Sequence, residues 1–139
     1  MHLSQNFTLT EFLRSDTAER LKIKNEASLE QVLNMAYLCH MILQPLRDKF
    51  GAISLNSGLR SAELNKAVGG AQNSQHMKGE AADIHLPSRT VGRNYFNFIK
   101  SLPLYDQLIW EEQGGACWIH VSLRRLGTNR RQVLQIVKR

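Results

Sequence analysis

The stretch SQHMKGEAADIH at positions 74–85 constrains the fold more than any other part of this 139-residue chain. It contains His76 and Asp83, two potential metal ligands, with a glycine and two alanines between them. Gly79 allows a sharp turn, and the small side chains of Ala81 and Ala82 allow a strand bearing Asp83 to pack closely against its surroundings. The stretch therefore predicts a turn followed by a buried strand that brings two ligands together.

A third ligand has to come from elsewhere, because a catalytic zinc site needs three protein ligands and an open fourth position. His120 in CWIHVSL is the best candidate, since strand alternation places it on one face with Trp118 and Ser122. Cys117 falls on the opposite face, which favours an open site over a closed structural one. From spacing alone, a surface histidine and a turn carboxylate remain an equal alternative.

Length and composition indicate one domain spanning 1–139, and the order of helices and strands along the chain assigns it to the α+β class. Its 42% apolar and 22% charged residues are typical of a chain that buries a core. No window is apolar enough for a membrane span, and the start MHLSQNFTLTEF does not resemble a signal peptide, so we expect synthesis in the cytoplasm. Cys39 and Cys117 form no metal or disulfide pattern, and we expect both to be reduced.

The net charge of +6 equals the charge of the segment 124–139, RRLGTNRRQVLQIVKR, so the remaining residues balance. A basic segment can bind any polyanion, including nucleic acid, anionic lipid or cell-wall polymer. A solvated charged face explains it more simply, and nothing else in the sequence favours a nucleic-acid partner. A nucleic-acid binder would show strongly salt-dependent binding that survives chelation.

Helices come early in the chain. Capping boxes at Thr8 and Ser28 start two of them, and the second is expected to run over 29–50 with a kink at Pro45. Its apolar stripe is Val32, Leu33, Ala36, Leu43 and Leu46.

After Gly51 we expect a strand at AISL, a turn at NSGLRS and a short helix that starts after Ser61. AADIHL is then a buried strand and 90–102 a helix. DQLIWEE and CWIHVSL are strands around the turn QGGA, and VLQIV is a strand or a helix. Helices first and strands late predict helices packed on a small, mainly antiparallel sheet.

Ordered motifs give the chain a resemblance to a known family. They are SGLRS at 57–61, S-x-H-x-x-G-x-A-x-D at 74–83, DQLI at 106–109 and WIHVS at 118–122. Together they resemble the D-alanyl-D-alanine carboxypeptidase family of zinc peptidases, which shares its fold with the hedgehog signalling domain. The resemblance implies that His76, Asp83 and His120 bind one Zn²⁺ and that the substrates are peptidoglycan stem peptides.

The general base is the point at which this chain departs from the family pattern. Relatives place a glutamate three or six residues before the strand histidine, but Cys117 and Gly114 occupy those positions. The nearest carboxylates are Glu111 and Glu112, which implies a turn at QGGA that is longer than usual. The family-like order Asp-Gln-Leu-Ile-x-Glu favours Glu111 as the base, although a bulge would exchange the two.

Arg60 in SGLRS occupies the place of the family's arginine, and a fixed guanidinium suits the stabilisation of an oxyanion. Ser57, Ser74 and Gln75 are candidates for holding the loop or the substrate. His85 shares the face of Asp83 in a regular strand, so it either supports the site or is part of the sheet surface.

The resemblance leaves two functions open. One is a monomeric phage endolysin-like enzyme, a carboxypeptidase or an endopeptidase, that acts at the bacterial cell wall after release and is held there by the basic segment 124–139. The other is a zinc-containing module that has lost turnover and binds cell-wall peptide or a protein partner. The displaced glutamate is the feature that keeps the second function open.

Overall fold

The computed structural model describes residues 1–138. The helices are α1 (Leu9–Leu13), α2 (Asp16–Leu21), α3 (Leu29–Leu38), a π-helical turn (Cys39–Leu43), α4 (Gln44–Phe50), α5 (Ala62–Ala67), a 3₁₀ turn (Gln75–Lys78) and α6 (Arg89–Ser101). The strands are β1 (His2–Ser4), β2 (Phe7–Thr8), β3 (Leu55–Ser57), β4 (Ala81–His85), β5 (Gln107–Gln113), β6 (Ala116–Ser122) and β7 (Gln132–Lys138). The predicted α+β class is confirmed.

Five strands form the main sheet in the order β3-β4-β6-β5-β7. The pairs β3–β4, β4–β6 and β5–β6 are antiparallel, whereas β7 pairs with β5 in parallel. The sheet is therefore mainly antiparallel, as predicted, with one parallel edge strand. β7 lies in the basic segment 124–139, whose last residue, 139, is outside the described part.

The two faces of this sheet carry different kinds of side chain. One face packs against α3, α4 and α6 and forms the core, with Ala82, Ile84, Leu108, Ile119 and Val121 all fully buried. The other face carries Asp83 on β4, His120 on β6 and Ile109 on β5, which are paired across neighbouring strands. Strand alternation thus separates the core from the candidate site.

Two local expectations were wrong, and some elements were not predicted. The strand expected at AISL begins only at Leu55 and continues through Asn56 and Ser57, so part of the expected turn is strand. The hairpin at QGGA is tight, because only Gly114 and Gly115 separate the strands and both have positive φ. The expected longer turn is therefore absent. A small two-stranded sheet of β1 and β2 and the short helix α2 were not predicted.

The long helix contains a widened turn instead of a simple kink. Pro45 has no N–H to donate to the carbonyl four residues earlier, and the turn before it is π-helical, with the Gln44 N–H bonded to the Cys39 carbonyl. The extra residue changes the phase of the buried face between α3 and α4. Within α3 the buried face also differs from the expected stripe, because Leu33 is 43% exposed while Met35 and Leu38 are fully buried.

Cys39 and Cys117 are both free thiols, as expected. Burial raises the pKa of the Cys39 thiol, and the charge of Glu11 adds to that effect. Over residues 1–138, no helix combines the length and the apolar character that crossing a membrane requires.

Candidate metal centre

Three side chains from separate elements converge on the polar face of the sheet. His76 comes from the 3₁₀ turn, Asp83 from β4 and His120 from β6, and one ligand atom of each lies within 4.8 Å of the others. His120 Nδ1 is 3.0 Å from Asp83 Oδ1, and His76 Nε2 is 3.3 Å from the same oxygen. These are the three residues that the family resemblance implied as metal ligands.

The tautomer of His76 prepares it for a cation. Its Nδ1 lies 2.7 Å from the Gly58 carbonyl oxygen, which only accepts, so Nδ1 must carry the proton. In the neutral ring Nε2 then presents a lone pair, and this buried atom has no hydrogen-bond partner among the residues described. A lone pair that faces a carboxylate oxygen is repelled by it, and a metal ion between the two atoms relieves this repulsion. Metal-bound histidines usually donate their other N–H to such a carbonyl. The donor set fits Zn²⁺.

Asp83 is the electrostatic centre of the cluster. Burial acts to raise the pKa of its carboxyl group, but the two histidine rings that approach Oδ1, those of His76 and His120, outweigh burial and hold the pKa well below its usual range. Asp83 is therefore ionised at neutral pH and supplies the negative charge that a dication needs.

The 3₁₀ turn that carries His76 is built by the residues on either side of it. The Ser74 hydroxyl accepts the His76 backbone N–H at 3.2 Å, and Gly79 ends the turn with φ +74°. A Cβ on Gly79 would lie 2.7 Å from the Gln31 carbonyl oxygen, so this position requires glycine for both its conformation and its packing. The sharp turn predicted at Gly79 is confirmed.

The loop that holds the Gly58 carbonyl is packed just as closely. A Cβ on Gly58 would lie 2.7 Å from the backbone oxygen of Phe12, and the Leu59 N–H bonds that oxygen at 2.9 Å. The Asn25 side chain holds this loop with two hydrogen bonds. It donates to the Leu59 carbonyl and accepts the Ser61 N–H. Helix α1 thereby sets the position of the oxygen that orients His76.

Arg60 lies in the same site, 16% exposed at its side chain, with Nη2 3.4 Å from Asp83 Oδ2. Its other nitrogens bond the Ser57 hydroxyl at 3.1 Å and the Asn65 amide oxygen at 3.3 Å. The guanidinium is thus held on three sides and faces the carboxylate oxygen that points away from the histidines.

The two candidate bases lie on opposite faces of β5. Glu111 pairs with Trp118 and lines a cavity with His120, whereas Glu112 pairs with Cys117. Glu112 accepts hydrogen bonds from Arg89 and from Trp110 Nε1, and these bonds, chiefly the one from Arg89, lower the pKa of Glu112. The β5–β6 register is regular from Gln107 to Gln113, so no bulge exchanges the two glutamates.

Two cavities adjoin the ligand cluster. One of about 390 Å³ is lined by Arg60, Asp83 and Trp118 together with residues of α2. The other, of about 560 Å³, is lined by Glu111 and His120 on one side and Gln75 on another. The cluster therefore has solvent-accessible space on two sides, which a bound peptide requires.

The remaining candidate residues support the site or lie outside the ligand cluster. Ser57 and Ser74 support Arg60 and the 3₁₀ turn, and Gln75 bonds Glu80 at 3.4 Å while it lines the larger cavity. His85 is exposed on the far end of β4 and is outside the cluster.

Sequence reasoning missed the polar residues that hold the site together, notably Asn25, Asn65 and Asp106. Asn65 is 4% exposed and bonds both Arg60 and the Ala71 carbonyl. Single asparagines carry no spacing signal, so only the folded chain identifies them. Asp106 is part of the motif DQLI, but the motif alone assigns it no role in the site.

A His-Asp-His cluster beside a cleft in an α+β domain is the kind of site that metal-dependent hydrolases use. The chain belongs to the Peptidase M15 family, whose family model matches residues 5–122. It is also 50% identical over 49 residues to the zinc D-Ala-D-Ala carboxypeptidase of Streptomyces albus G. That match covers 34% of this chain and only 19% of the Streptomyces protein. The resemblance to the zinc peptidases is thereby confirmed.

Proposed function

We propose that residues 1–139 form one zinc peptidase domain of the hedgehog-like fold that hydrolyses stem peptides of bacterial peptidoglycan. The observation that carries the proposal is the unpartnered Nε2 of His76, which faces Asp83 and His120 within a member of a peptidase family. The name of the Streptomyces relative supports a cell-wall substrate. The bond cut is either the terminal D-Ala-D-Ala bond or an internal one.

Zn²⁺ bound by His76, Asp83 and His120 would lower the pKa of a water ligand toward ~7 and polarise the peptide carbonyl. Glu111 would accept the proton of the attacking water. In support, it lies diagonally across from His120 on the same face of the sheet, about 7–8 Å away by general sheet geometry. Both side chains leave the same face of the sheet, so the carboxylate and the imidazole each bridge part of that distance. Glu111 then returns the proton to the leaving amine.

Arg60 would stabilise the oxyanion of the tetrahedral intermediate, since its guanidinium stays ionised and is held by Ser57 and Asn65. Its contact with Asp83 Oδ2 also fixes the orientation of that ligand. Both tasks favour arginine over lysine, because the planar group donates in several directions at once.

The site of action would be the bacterial cell wall after release, in the manner of a phage endolysin, with the protein as a monomer. The basic segment supports this, because cations can hold an enzyme on an anionic polymer. The attraction should be strongest at low salt and weaken as salt is added.

The test incubates the zinc-loaded protein with purified peptidoglycan and with free pentapeptide, and reads the products by mass spectrometry. We expect cleavage that stops with chelator and falls by about 10²–10⁴-fold in Glu111→Gln, the usual contribution of a general base. Glu112→Gln is the matched control and should retain activity. Released D-alanine identifies a carboxypeptidase, and larger fragments identify an endopeptidase.

A zinc-containing binding module is the second candidate, because Glu111 makes no hydrogen bond to the ligand cluster in the described structure. Tight zinc and peptide binding without any product would favour that module and contradict the peptidase. Full activity in Glu111→Gln together with loss in Glu112→Gln would instead move the base by one residue.

A further inference from the structure

The larger of the two cavities has a strongly cationic wall that the proposed reaction does not use. Lys78, Arg124 and Arg130 line it together with Glu111 and His120. The neighbouring cavity contains Arg60, whose guanidinium already makes three hydrogen bonds. Unassigned positive charge is therefore concentrated on the Glu111 side of the ligand cluster.

A buried aspartate holds this wall in place. Asp106 has no exposed surface, and Arg130 binds it with Nε at 3.1 Å, Nη2 at 2.7 Å and its backbone N–H at 2.9 Å. Arg124 Nε approaches the same carboxylate at 3.5 Å. Two guanidinium groups thus share one carboxylate. The carboxylate holds both groups in place, but its single negative charge balances only one of their two positive charges.

Among residues 1–138, the side-chain donors of Arg124 are largely unused. Its side chain is 40% exposed and makes no hydrogen bond within residues 1–138 apart from the long approach to Asp106. The three cations of this wall face two carboxylates, Asp106 and Glu111, so one positive charge is left over. An anion in the cavity would meet that charge and the spare donors of Arg124.

The wall is close enough to the ligand cluster to contact a bound substrate. The Asp106 N–H bonds the Ser122 carbonyl at 2.7 Å, and Ser122 follows His120 by two residues on β6, about 7 Å along the strand. An extended peptide advances ~3.3–3.6 Å per residue, so this spacing corresponds to about two residues.

We propose that Arg124, supported by Arg130 and Lys78, forms a carboxylate-binding subsite on the Glu111 side of the metal centre. The substrate would be a peptide with a free carboxylate within about two residues of the scissile bond. Asp106 is the positioning residue that holds the two guanidinium groups. This inference rests on the proposed function for its substrate class, but binding can be measured without turnover.

The experiment uses the acetylated cell-wall pentapeptide ending in D-Ala-D-Ala, with its carboxylates free or converted to carboxamides one at a time. Binding to zinc-loaded Glu111→Gln protein is measured by calorimetry, and kcat and KM are measured on the wild-type background. One amidation should weaken binding by about 10–100-fold, since a hydrogen bond to a charged group is typically that strong. On the wild-type background it should act mainly through KM.

Arg124→Gln should bring the free and amidated peptides to within about threefold of each other, because the charge-assisted contact is gone. Arg124→Lys should retain part of the discrimination. Arg125→Gln is the matched control, because Arg125 carries the same charge one residue away but bonds Asn34 and Glu30 outside the cavity. It should leave the discrimination unchanged.

Equal binding of all peptides to the Arg124-containing protein, or discrimination that survives Arg124→Gln, overturns the subsite. Loss of discrimination in Arg125→Gln as well does the same, because it indicates a general charge effect. Absence of turnover in the wild type contradicts the peptidase proposal only, since the calorimetric comparison still decides the subsite. Arg130 is left intact, because its removal would strand the buried Asp106 charge.

Discussion

His76 shows how one side chain can be committed to a metal by its neighbours. The Gly58 carbonyl accepts a hydrogen bond from Nδ1–H, and burial excludes water from Nε2. Each feature alone is ordinary for a buried histidine. Together they leave a desolvated lone pair whose cost is relieved when a cation binds.

His76→Ala should therefore reduce zinc affinity by more than the roughly 10–100-fold that is typical when a hydrogen-bond partner of a metal ligand is removed. The measurement is competition against a chromophoric chelator. His85→Ala is the control, because this histidine lies on the same face of β4 but is exposed and outside the cluster. Equal losses in the two variants would contradict the assignment of His76 as a ligand.

Zinc should also raise the thermal midpoint of the wild-type protein, since a ligand that binds only the folded state stabilises it by mass action. At a free zinc concentration about 100 times the dissociation constant, the expected gain is about 2.7 kcal/mol. Calorimetry with and without chelator measures it. The gain should be much smaller in His76→Ala.

At the scale of elements, the turn from Gln75 to Gly79 shows that a position can require glycine for two separate reasons, its backbone conformation and its packing. Gly79 has φ +74°, and its Cα also packs on the backbone of α3 near Gln31. Gly69 has a similar φ of +72°, but a Cβ added there would meet no other atom within 4 Å. The two glycines differ in packing and share a conformation.

Gly69→Ala should cost about 1–2 kcal/mol, the usual penalty of a left-handed conformation for a residue with a Cβ. Gly79→Ala should cost more, because the added methyl group also meets the Gln31 carbonyl. Urea denaturation of both variants without metal gives the difference. Equal costs would show that only the backbone conformation matters at position 79.

At the scale of the whole molecule, Asp106 lies directly before strand β5 and bonds the segment that leads into β7. Burial acts to raise the pKa of its carboxyl group, but hydrogen bonds and charge from Arg130, together with the charge of Arg124, lower it. A carboxyl group whose pKa is lower in the folded state stabilises the fold above its unfolded pKa of about 3.9. That contribution is lost as pH falls through the lower, folded value.

The metal-free protein should therefore lose stability as pH falls below about 4, and Asp106→Asn should lose less over that interval while being less stable at pH 7. The free energy of unfolding from urea titrations at several pH values measures this. Asp16→Asn is the control, because Asp16 is exposed and in no salt bridge between described residues. If Asp106→Asn has the same slope with pH as the wild type, Asp106 does not contribute to acid unfolding.

Local chemistry in the sequence was enough to predict the caps at Thr8 and Ser28, the turn at Gly79 and the alternation that separates Glu111 from Glu112. These features depend on residues close together in the chain, whose contacts follow from helix and strand periodicity. The family motifs added the implied ligand set of His76, Asp83 and His120.

Only the tertiary structure decided the features that depend on distant pairs. The π-helical turn shifted the buried face of the long helix, and the two-residue hairpin replaced the longer turn expected at QGGA. The link between Asp106 and Arg130 and the tautomer of His76 join residues far apart in sequence, so no local pattern encodes them. Long-range packing selects such contacts, whereas periodicity selects helices and strands.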